Sequence, residues 1–244
     1  MMLRPNNPLY NLVLEEQIYR NCSLATLTRY IYVWINYPSV IVGRMSREGL
    51  DYSCSVARRF GVPVYRRFTG GGAVYHDEGV LSITLIGEKV NGIDEVYAVG
   101  TSLIVDLLRG LGLYARVANE GDIVVGDCKV SGSAAHLARD RFLYHATLII
   151  DSNLAHIHEL TPPRIDRIRR GEVDPVKYNP CPLTKHVDVD QAFVLRVLHR
   201  VAMDKGRRLI PLNYSTQYCS AVRERFYDLL KKRIRDPYWV PCSY

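Results

Sequence analysis

The sequence predicts a protein of the α+β class, built from amphipathic helices and a run of antiparallel strands. Three observations support this prediction. Apolar residues recur at helical spacing over residues 94–109, β-prone runs separated by short turns fill residues 122–150, and two more helical patterns cover residues 190–205 and 216–234. Because Gly126-Asp127 is a typical two-residue hairpin turn, residues 122–150 are expected to form a β-meander.

Length and composition are those of an ordinary globular protein. The chain has 244 residues, is 48% hydrophobic and carries a formal net charge of +7. This length allows one large domain, or one domain with an appendage. A basic chain favours an acidic partner, whether nucleotide, nucleic acid or protein. Without a signal pattern or an apolar run of membrane-spanning length, the protein is expected to be cytoplasmic and not bound to a membrane.

The N-terminal half has its own pattern of elements. Apolar residues predict an amphipathic helix over residues 8–20, with Glu15 and Glu16 on its polar side. Strands are expected over residues 30–37 and 40–42, and a short helix over residues 53–60. Asp94 is the expected N-cap of the helix over residues 94–109.

The six cysteines are widely scattered, without a C-x-x-C pair or a tight Cys/His cluster. This spacing argues against a zinc site, and the single His156-x-His158 pair is a weak signal. In a cytosolic chain the thiols are expected to be reduced and buried, because paired cysteines inside cells are typical only of hyperthermophiles.

Two arginines and three consecutive glycines stand between two β-prone runs, in the stretch over residues 66–77. A backbone without side chains at Gly70, Gly71 and Gly72 can bring its N–H groups close to a ligand. Arg66 and Arg67 could pair with a phosphate or a carboxylate. The alternative is a glycine-rich hairpin turn beside a solvated basic pair.

Lys129 is the second candidate, since it lies on a predicted strand among Ser131, Gly132, Ser133 and Ala134. Small neighbours leave room for a ligand, and the ammonium would stabilise negative charge rather than act as a nucleophile. The alternative is an exposed strand lysine. The glycine spacing fits neither a Walker A loop nor a dinucleotide fingerprint.

The two stretches resemble a known family. Arg-Arg-Phe-Thr-Gly-Gly-Gly-Ala-Val-Tyr-His-Asp at 66–77 and Lys-Val-Ser-Gly-Ser-Ala at 129–134 resemble the signature blocks of the lipoate–protein ligase A family. That family belongs to the biotin/lipoate protein ligase superfamily. Supporting blocks occur in the same order at residues 11–16, 34–44 and 145–148, so the resemblance covers residues 8–155.

The resemblance implies a mixed, largely antiparallel sheet flanked by helices, similar to class II synthetases. It implies one catalytic domain over residues 1–244, of the short archaeal form without an accessory domain. Within it, residues 161–188 are rich in Pro and Arg and are expected to be extended or mobile, and residues 189–244 are expected to be helical.

The resemblance also implies a reaction. Lipoate would attack the α-phosphate of Mg-ATP to give lipoyl-AMP, and a lysine of an acceptor lipoyl domain would then take the acyl group. Lys129 would be the catalytic residue, Mg²⁺ would arrive with ATP, and no protein metal site is expected. Expected partners are a lipoyl-domain protein and an accessory subunit on a separate chain, with no nucleic acid. The implied ATP and lipoyl-AMP site consists of Arg67, Gly70, Gly71, Gly72, Ala73, Val74, Tyr75, His76, Asp122, Lys129, Ser133, Ala134 and His145.

The sequence departs from the family at three places. Gly121 stands where the family has an asparagine before Asp122, and the nearest asparagine is Asn119. The family's His-Gly-Thr block reads His145-Ala146-Thr147, and its Arg-Val-Thr loop has no good match after residue 160.

Two other functions remain open at this stage. An octanoyl or lipoyl transferase of the same fold works without ATP through a catalytic cysteine, and Cys128 is the cysteine nearest the lysine block. A non-enzymatic RNA-binding module would use the positive charge, the arginines at 164–170 and the tyrosines. A biotin ligase is disfavoured, because that branch carries a different glycine motif.

Overall fold

The computed structural model describes residues 3–217 and 219–242. This part of the chain contains eight α-helices and ten β-strands. The helices are α1 (Pro8–Asn21), α2 (Leu24–Leu27), α3 (Cys54–Arg59), α4 (Ile93–Gly110), α5 (Leu154–Leu160), α6 (Ile165–Arg169), α7 (Gln191–Asp204) and α8 (Ser220–Ile234). The strands are β1 (Tyr30–Trp34), β2 (Ser39–Val42), β3 (Val64–Arg66), β4 (Ala73–His76), β5 (Val80–Glu88), β6 (Ala115–Ala118), β7 (Asp122–Val125), β8 (Cys128–Leu137), β9 (Arg141–Ile149) and β10 (Arg208–Pro211).

The strands of the described residues form two sheets. The larger has the order β10-β1-β5-β9-β8-β7-β6 and is antiparallel except where β1 and β10 pair in parallel. The smaller has the order β3-β2-β4, with β2 parallel to β3 and antiparallel to β4. The prediction of a mixed, largely antiparallel α+β fold is confirmed, as is the meander β7-β8-β9.

Helices cover both faces of the larger sheet. Successive side chains of a strand point to opposite faces, and β1 shows the consequence. Its Ile31 and Val33 join the core that contains α4 and α7, whereas Tyr32 and Trp34 join the core that contains α1 and α8. β1 is therefore buried from both sides, which explains its nearly continuous apolar sequence.

The stretch between β3 and β4 is not the glycine-rich hairpin that was the alternative for these residues. Both strands pair with β2, so β3 and β4 lie on its opposite edges and do not pair with each other. Residues 67–72 therefore cross from one edge of the small sheet to the other. A glycine-rich sequence permits either path, so the sequence alone could not choose between them.

The N-terminal helix begins where predicted, but its expected polar side is wrong. Glu15 and Glu16 are both buried. Glu15 lies beside His145 and Thr84, and Glu16 forms ion pairs with Arg20 and Arg233. Buried carboxylates need such partners, and apart from Arg20 these partners come from distant parts of the chain. The prediction for Asp94 is also corrected, because Gly92 occupies the N-cap position and Asp94 lies in the first turn of α4.

Residues 161–188 are more structured than predicted. They contain α6 and two 3-10 helices, Pro175–Tyr178 and Leu183–Lys185. The arginines of this stretch are not a free basic cluster, because Arg164 pairs with Asp51 and Asp166, and Arg170 pairs with Asp166 and Glu172. Sequence analysis also missed the two edge strands β6 and β10.

The prediction of reduced thiols is wrong, because the structure pairs the six cysteines as disulfides. The pairs are Cys22–Cys219, Cys54–Cys242 and Cys128–Cys181, with Cα–Cα distances of 5.8, 5.3 and 5.8 Å. Their partners are 197, 188 and 53 residues apart in sequence. Such long-range pairs leave no local spacing signal, so they become visible only in the fold.

Among the described residues, the helices are all too short or too polar to span a lipid bilayer.

Candidate active site

Two adjoining cavities lie between the small sheet and the middle of the large one. The larger is an open cleft of about 460 Å³ with a polar lining, and the smaller is a pocket of about 110 Å³. The pocket has apolar walls from Leu12, Trp34, Ile41, Ala134 and Ala146. The cleft is within the size range of cavities that bind small-molecule ligands.

The structure brings nearly all the predicted site residues together around these cavities. Gly71, Gly72, Ala73, Val74, Asp122, Lys129 and Ser133 line both cavities, Tyr75 lines the cleft, and Arg67, His76, Ala134 and His145 line the pocket. Of the predicted set, Gly70 contributes its carbonyl to the loop that Arg67 organises. Their roles towards a ligand stay predictions.

Arg67 shapes the glycine loop, which we define as residues 67–72. Its guanidinium donates to the carbonyl oxygens of Gly70, Gly72 and Ile41, at 2.6, 2.9 and 3.1 Å, and to Thr69 Oγ1 at 3.1 Å. Burial lowers the pKa of Arg67 to about 10, so the side chain stays charged at neutral pH. A charge held inside the loop fixes the direction of the carbonyls and hence of the neighbouring N–H groups.

Arg66 is also committed to the protein. It donates through Nη1 to Gly43 O at 2.7 Å and through Nε to Tyr238 O at 2.9 Å. The expectation that the arginine pair reaches out to an anion therefore does not describe Arg66, which joins the C-terminal residues to the loop after β2.

A chain of hydrogen bonds connects the glycine loop through His145 to Glu15. The Glu15 carboxylate faces His145 Nδ1 at 3.0 and 3.1 Å, and His145 Nε2 lies 2.9 Å from Thr69 Oγ1. Thr84 Oγ1 donates to Glu15 at 2.6 Å. An ionised Glu15 accepts the Nδ1–H, so Nε2 is left to accept from Thr69, whose hydroxyl oxygen also accepts from Arg67.

His76 closes the pocket on the side of Trp34. Its ring is stacked near the Trp34 ring, and its Nδ1 lies 3.2 Å from Asn36 Nδ2. Burial, followed by the positive charge of Arg67, lowers the pKa of His76 to about 3. The imidazole is therefore neutral at physiological pH and lines the pocket as an uncharged group.

Lys129 forms a buried ion pair with Asp122, whose second oxygen has two further partners. Lys129 Nζ lies 2.8 Å from Asp122 Oδ1. Asn119 Nδ2 donates to Asp122 Oδ2 at 2.9 Å, and Lys177 Nζ lies 3.5 Å from the same oxygen. Asn119 thus supplies an amide contact to Asp122, although Gly121 stands where the family has an asparagine.

The small residues around Lys129 are required by close contacts. A Cβ added to Gly132 would lie 2.8 Å from Lys129 Nζ, and one added to Gly121 would lie 2.2 Å from Ser133 Oγ. Ser133 Oγ donates to Gly121 O at 2.7 Å. The lysine and its partners therefore occupy space that larger side chains would fill, as the sequence pattern indicated.

Part of the cleft is lined by residues 161–185, which we call the covering segment. None of the predicted site residues belongs to it. Two backbone hydrogen bonds join this segment to β8: Lys129 N donates to Asn179 O at 2.8 Å, and Cys181 N donates to Lys129 O at 2.9 Å. The Cys128–Cys181 disulfide and a bond from Asp174 N to Asn119 Oδ1, at 2.8 Å, complete the attachment. The backbone of the central lysine is thereby fixed to this segment.

Sequence analysis missed Glu15, Thr69, Asn119 and Lys177 as parts of the site. Thr69 and Glu15 belong to blocks that carried the resemblance, so their motif position was a usable signal. Asn119 was noted only for its nearness to Asp122. Lys177 had no signal, because its approach to Asp122 depends on the path of the covering segment.

Comparisons with known proteins agree with this geometry. The family model of the lipoyl protein ligase A/B catalytic domain matches residues 7–199. A protein of Aeropyrum pernix, named "Putative lipoate-protein ligase A", is 41% identical over 179 residues, which are 73% of this chain and 67% of that protein. The chain therefore belongs to the lipoyl protein ligase A/B catalytic domain family, and the resemblance seen in its motifs is confirmed.

Other relatives are longer than the matched region. Lipoate-protein ligase LplJ of Bacillus subtilis is 28% identical over 75% of this chain, and the match spans 55% of that protein. A Schizosaccharomyces pombe relative is matched over 93% of this chain but over 60% of its own length. The chain thus spans a little over half the length of these curated relatives.

Solved structures share the fold. A bipartite lipoate protein ligase from Thermoplasma acidophilum, studied with its E2 lipoyl domain, aligns over the whole chain and 96% of its own length with a TM-score of 0.76 and 22% identity. A lipoate-protein ligase A bound with ATP aligns over 98% of this chain and 96% of its own, with a TM-score of 0.74 and 22% identity.

Proposed function

We propose that the protein is a lipoate–protein ligase, which activates lipoate with ATP and transfers the lipoyl group to a lysine of a lipoyl domain. The observation that carries the proposal is the position of Lys129. It lines both the polar cleft and the apolar pocket, at the place where the two cavities meet. An acyl chain in the pocket and a nucleotide in the cleft would meet at this ammonium.

Each cavity suits its part of the reaction. Part of the pocket wall is apolar and His76 in this wall is neutral, which fits an uncharged acyl chain. The cleft is lined by glycine-loop backbone and by basic side chains, which fit phosphates. Both substrates would thus place their reacting groups beside Lys129, and positioning of this kind accounts for a large share of catalysis.

The chemistry assigned to Lys129 is electrostatic. In the first step a carboxylate oxygen of lipoate attacks the α-phosphorus of ATP, and pyrophosphate leaves. In the second step a lysine amine of the acceptor attacks the acyl carbonyl, and AMP leaves. Negative charge develops on phosphoryl oxygens in the first step and on the acyl oxygen in the second. An ammonium next to both positions stabilises each transition state.

Mg²⁺ and a further protein component belong to the proposal. Mg²⁺ would bind with ATP, because hard divalent cations prefer phosphate and carboxylate oxygens. The structural relative from Thermoplasma acidophilum is described as bipartite and is paired with an E2 lipoyl domain. By analogy, the acceptor here would be a lipoyl domain, and an accessory subunit would assist activation.

A transferase without ATP is less consistent with the site. It requires a cysteine at the pocket, whereas in the described part of the chain the six cysteines are paired and line neither cavity. An RNA-binding role has little support from the arginines of residues 164–170, because Arg164, Arg167 and Arg170 form ion pairs with acidic neighbours.

The test combines the purified chain with Mg-ATP, an acid and a lipoyl domain, and follows pyrophosphate release and the mass of the domain. Lipoate, octanoate and biotin are compared, and a lipoyl domain lacking its acceptor lysine is the control. We expect pyrophosphate and one lipoyl adduct per domain with lipoate. If ATP gives no product, synthetic lipoyl-AMP is supplied, and failure to transfer from it would refute the proposal.

A further inference from the structure

Lys177 is a second lysine in the candidate site, and neither the sequence motifs nor the mechanism above assigns it a role. It lies in the 3-10 helix Pro175–Tyr178, where the side chain of Asp174 caps the helix by accepting from Val176 N. Its side chain is 29% exposed and lines both cavities. It therefore faces the same space as Lys129, from the covering segment instead of the sheet.

The two lysines share one carboxylate. Lys129 Nζ contacts Asp122 Oδ1 at 2.8 Å, and Lys177 Nζ lies 3.5 Å from Asp122 Oδ2. Asp122 has only 5% of its side chain exposed. Two ammonium groups and one carboxylate leave a net charge of +1 at the junction of the cavities, which suits an anionic ligand.

The proposed reaction makes a demand on this arrangement. Lys129 has to direct its ammonium towards the acyl carboxylate and the phosphate, but it is paired with Asp122 in the structure. A buried carboxylate that loses its only cation is strongly destabilised. A second cation on the other oxygen removes this difficulty, because Asp122 then keeps a partner throughout.

We propose that Lys177 is a positioning residue that keeps Asp122 ionised and in place while Lys129 turns from Asp122 to the reacting groups. This role rests on the proposed ligase function. The Lys177–Asp122 contact is the longer one in the structure, as expected for a partner that takes over when the substrate draws Lys129 away. Asn119, which donates to the same oxygen at 2.9 Å, holds the carboxylate during the exchange.

The charges around the pair agree with this role. Burial opposes ionisation of Asp122, but Lys129 and then Lys177 outweigh it, so the pKa of Asp122 lies below its usual range. Burial lowers the pKa of Lys177, Asp122 raises it, and Lys129 lowers it further. Further groups near the pair include Tyr97 of α4 and Tyr144 of β9, which interact with Asp122, Arg167 of α6, which interacts with Lys177, and Glu120, which also lines the cleft.

The first experiment needs no substrate. The Asp122 carboxyl is titrated by ¹³C NMR in the wild type, in Lys177→Met and in Lys185→Met, with Asp122→Asn to assign the signal. Lys185→Met is the matched control, because it removes the same charge from the same segment, at an exposed lysine paired with Asp127. We expect the Asp122 pKa to rise by about 1 in Lys177→Met, as a lost cation at this range predicts, and to stay unchanged in Lys185→Met. An unchanged Asp122 pKa in Lys177→Met would overturn the proposal.

The second experiment measures acyl-adenylate formation against pH. We expect Lys177→Met to lower the maximal rate by about 10- to 100-fold, in the range of other electrostatic groups, with the KM for ATP little changed. The acidic limb of the pH–rate profile of Lys177→Met should move to higher pH, because Asp122 then becomes protonated at a higher pH. Lys177→Arg should recover most of the rate, since it retains the charge. Equal defects in Lys177→Met and Lys177→Arg would contradict a role through charge.

The two experiments separate this proposal from the proposed function. A wild type that neither forms nor uses lipoyl-AMP would refute the ligase function, and with it the role of Lys177 in activation. The carboxyl titration would still decide whether Lys177 holds Asp122.

Discussion

The glycine loop and the covering segment line the same cleft but are held in different ways. The loop is fixed by a buried network that runs from Arg67 and Thr69 through His145 to Glu15. The covering segment is held by the partly exposed ion pairs Arg164–Asp51 and Lys177–Asp122, a few backbone hydrogen bonds and the Cys128–Cys181 disulfide. Exposed ion pairs contribute little to stability, so we infer that the segment opens at lower cost than the loop.

The difference suggests a division of work. A loop that must place N–H groups against a phosphate gains from rigidity. A segment that must admit substrates and close over them gains from a lower opening cost. The predictions below test whether the two regions differ in this way.

Gly71→Val should have the largest effect, because it breaks the rigid region at its centre. Gly71 has φ of +87°, and an added Cβ would lie 2.7 Å from Arg67 Nη2. We expect ATP affinity, measured by calorimetry, to fall at least about 100-fold, because both the backbone and the arginine network are disturbed. Gly112→Val is the control, since Gly112 has φ of +80° but open space around it. Equal ATP affinity in wild type and Gly71→Val would show that the loop does not bind the nucleotide.

Glu15→Ala removes the base of the same network. His145 Nδ1–H and the Thr84 hydroxyl would lose their acceptor in a fully buried place. We expect the free energy of unfolding to fall by about 2–5 kcal/mol, as for two buried donors left unsatisfied. Glu88→Ala, at an exposed position of β5, should change the free energy of unfolding by less than about 1 kcal/mol, because surface substitutions usually stay within about ±0.5 kcal/mol. The measurement is denaturant unfolding, and similar losses in the two variants would contradict a supporting role for Glu15.

Replacing Cys128 and Cys181 together by serine tests the covering segment. A disulfide that closes a loop of this size contributes about 2–4 kcal/mol to the free energy of unfolding, and we expect the effect of its loss to be local. We expect faster hydrogen exchange at the amides of Lys129 and Cys181, whose hydrogen bonds join β8 to the covering segment. Protection from exchange at residues 64–76 should be retained. The double serine variant of Cys54 and Cys242 is the control. Equal deprotection of the glycine loop would contradict the separate attachment of the two regions.

Titration of His76 affects stability only at acidic pH. Its pKa is lowered to about 3 in the folded protein, from an ordinary value of 6.5. The unfolded chain therefore binds a proton that the folded chain refuses, and stability falls as pH drops from 6.5 towards 3. One such proton corresponds to a slope of about 1.4 kcal/mol per pH unit. His76→Asn should flatten the curve by this amount, whereas the exposed His199→Asn should not, and identical slopes would refute the burial of His76 as its cause.

The same two regions show what a sequence can and cannot reveal. The glycine loop and the Lys129 block were predictable, because the residues that define the chemistry of each are adjacent in the sequence. Lys177 and the Cys128–Cys181 disulfide were not, because each depends on contacts between residues far apart in the chain. Asn119 lies only three residues before Asp122, but its contact depends on the turn between β6 and β7, which was not predicted. Glu15 was misjudged since a carboxylate on a helix is usually solvated, and only the fold shows that His145 lies next to it.

The most direct test of the central assignment uses a stable analogue of lipoyl-AMP, in which a sulfamoyl group replaces the acyl phosphate. Its binding is measured by calorimetry to the wild type, to Lys129→Ala and to Lys185→Met. The account predicts one site per chain, and an affinity about 100-fold weaker in Lys129→Ala, with the fold intact by circular dichroism and Lys185→Met unchanged. Equal affinity in the wild type and Lys129→Ala, or no binding to the wild type, would contradict the placement of acyl group and nucleotide at this lysine.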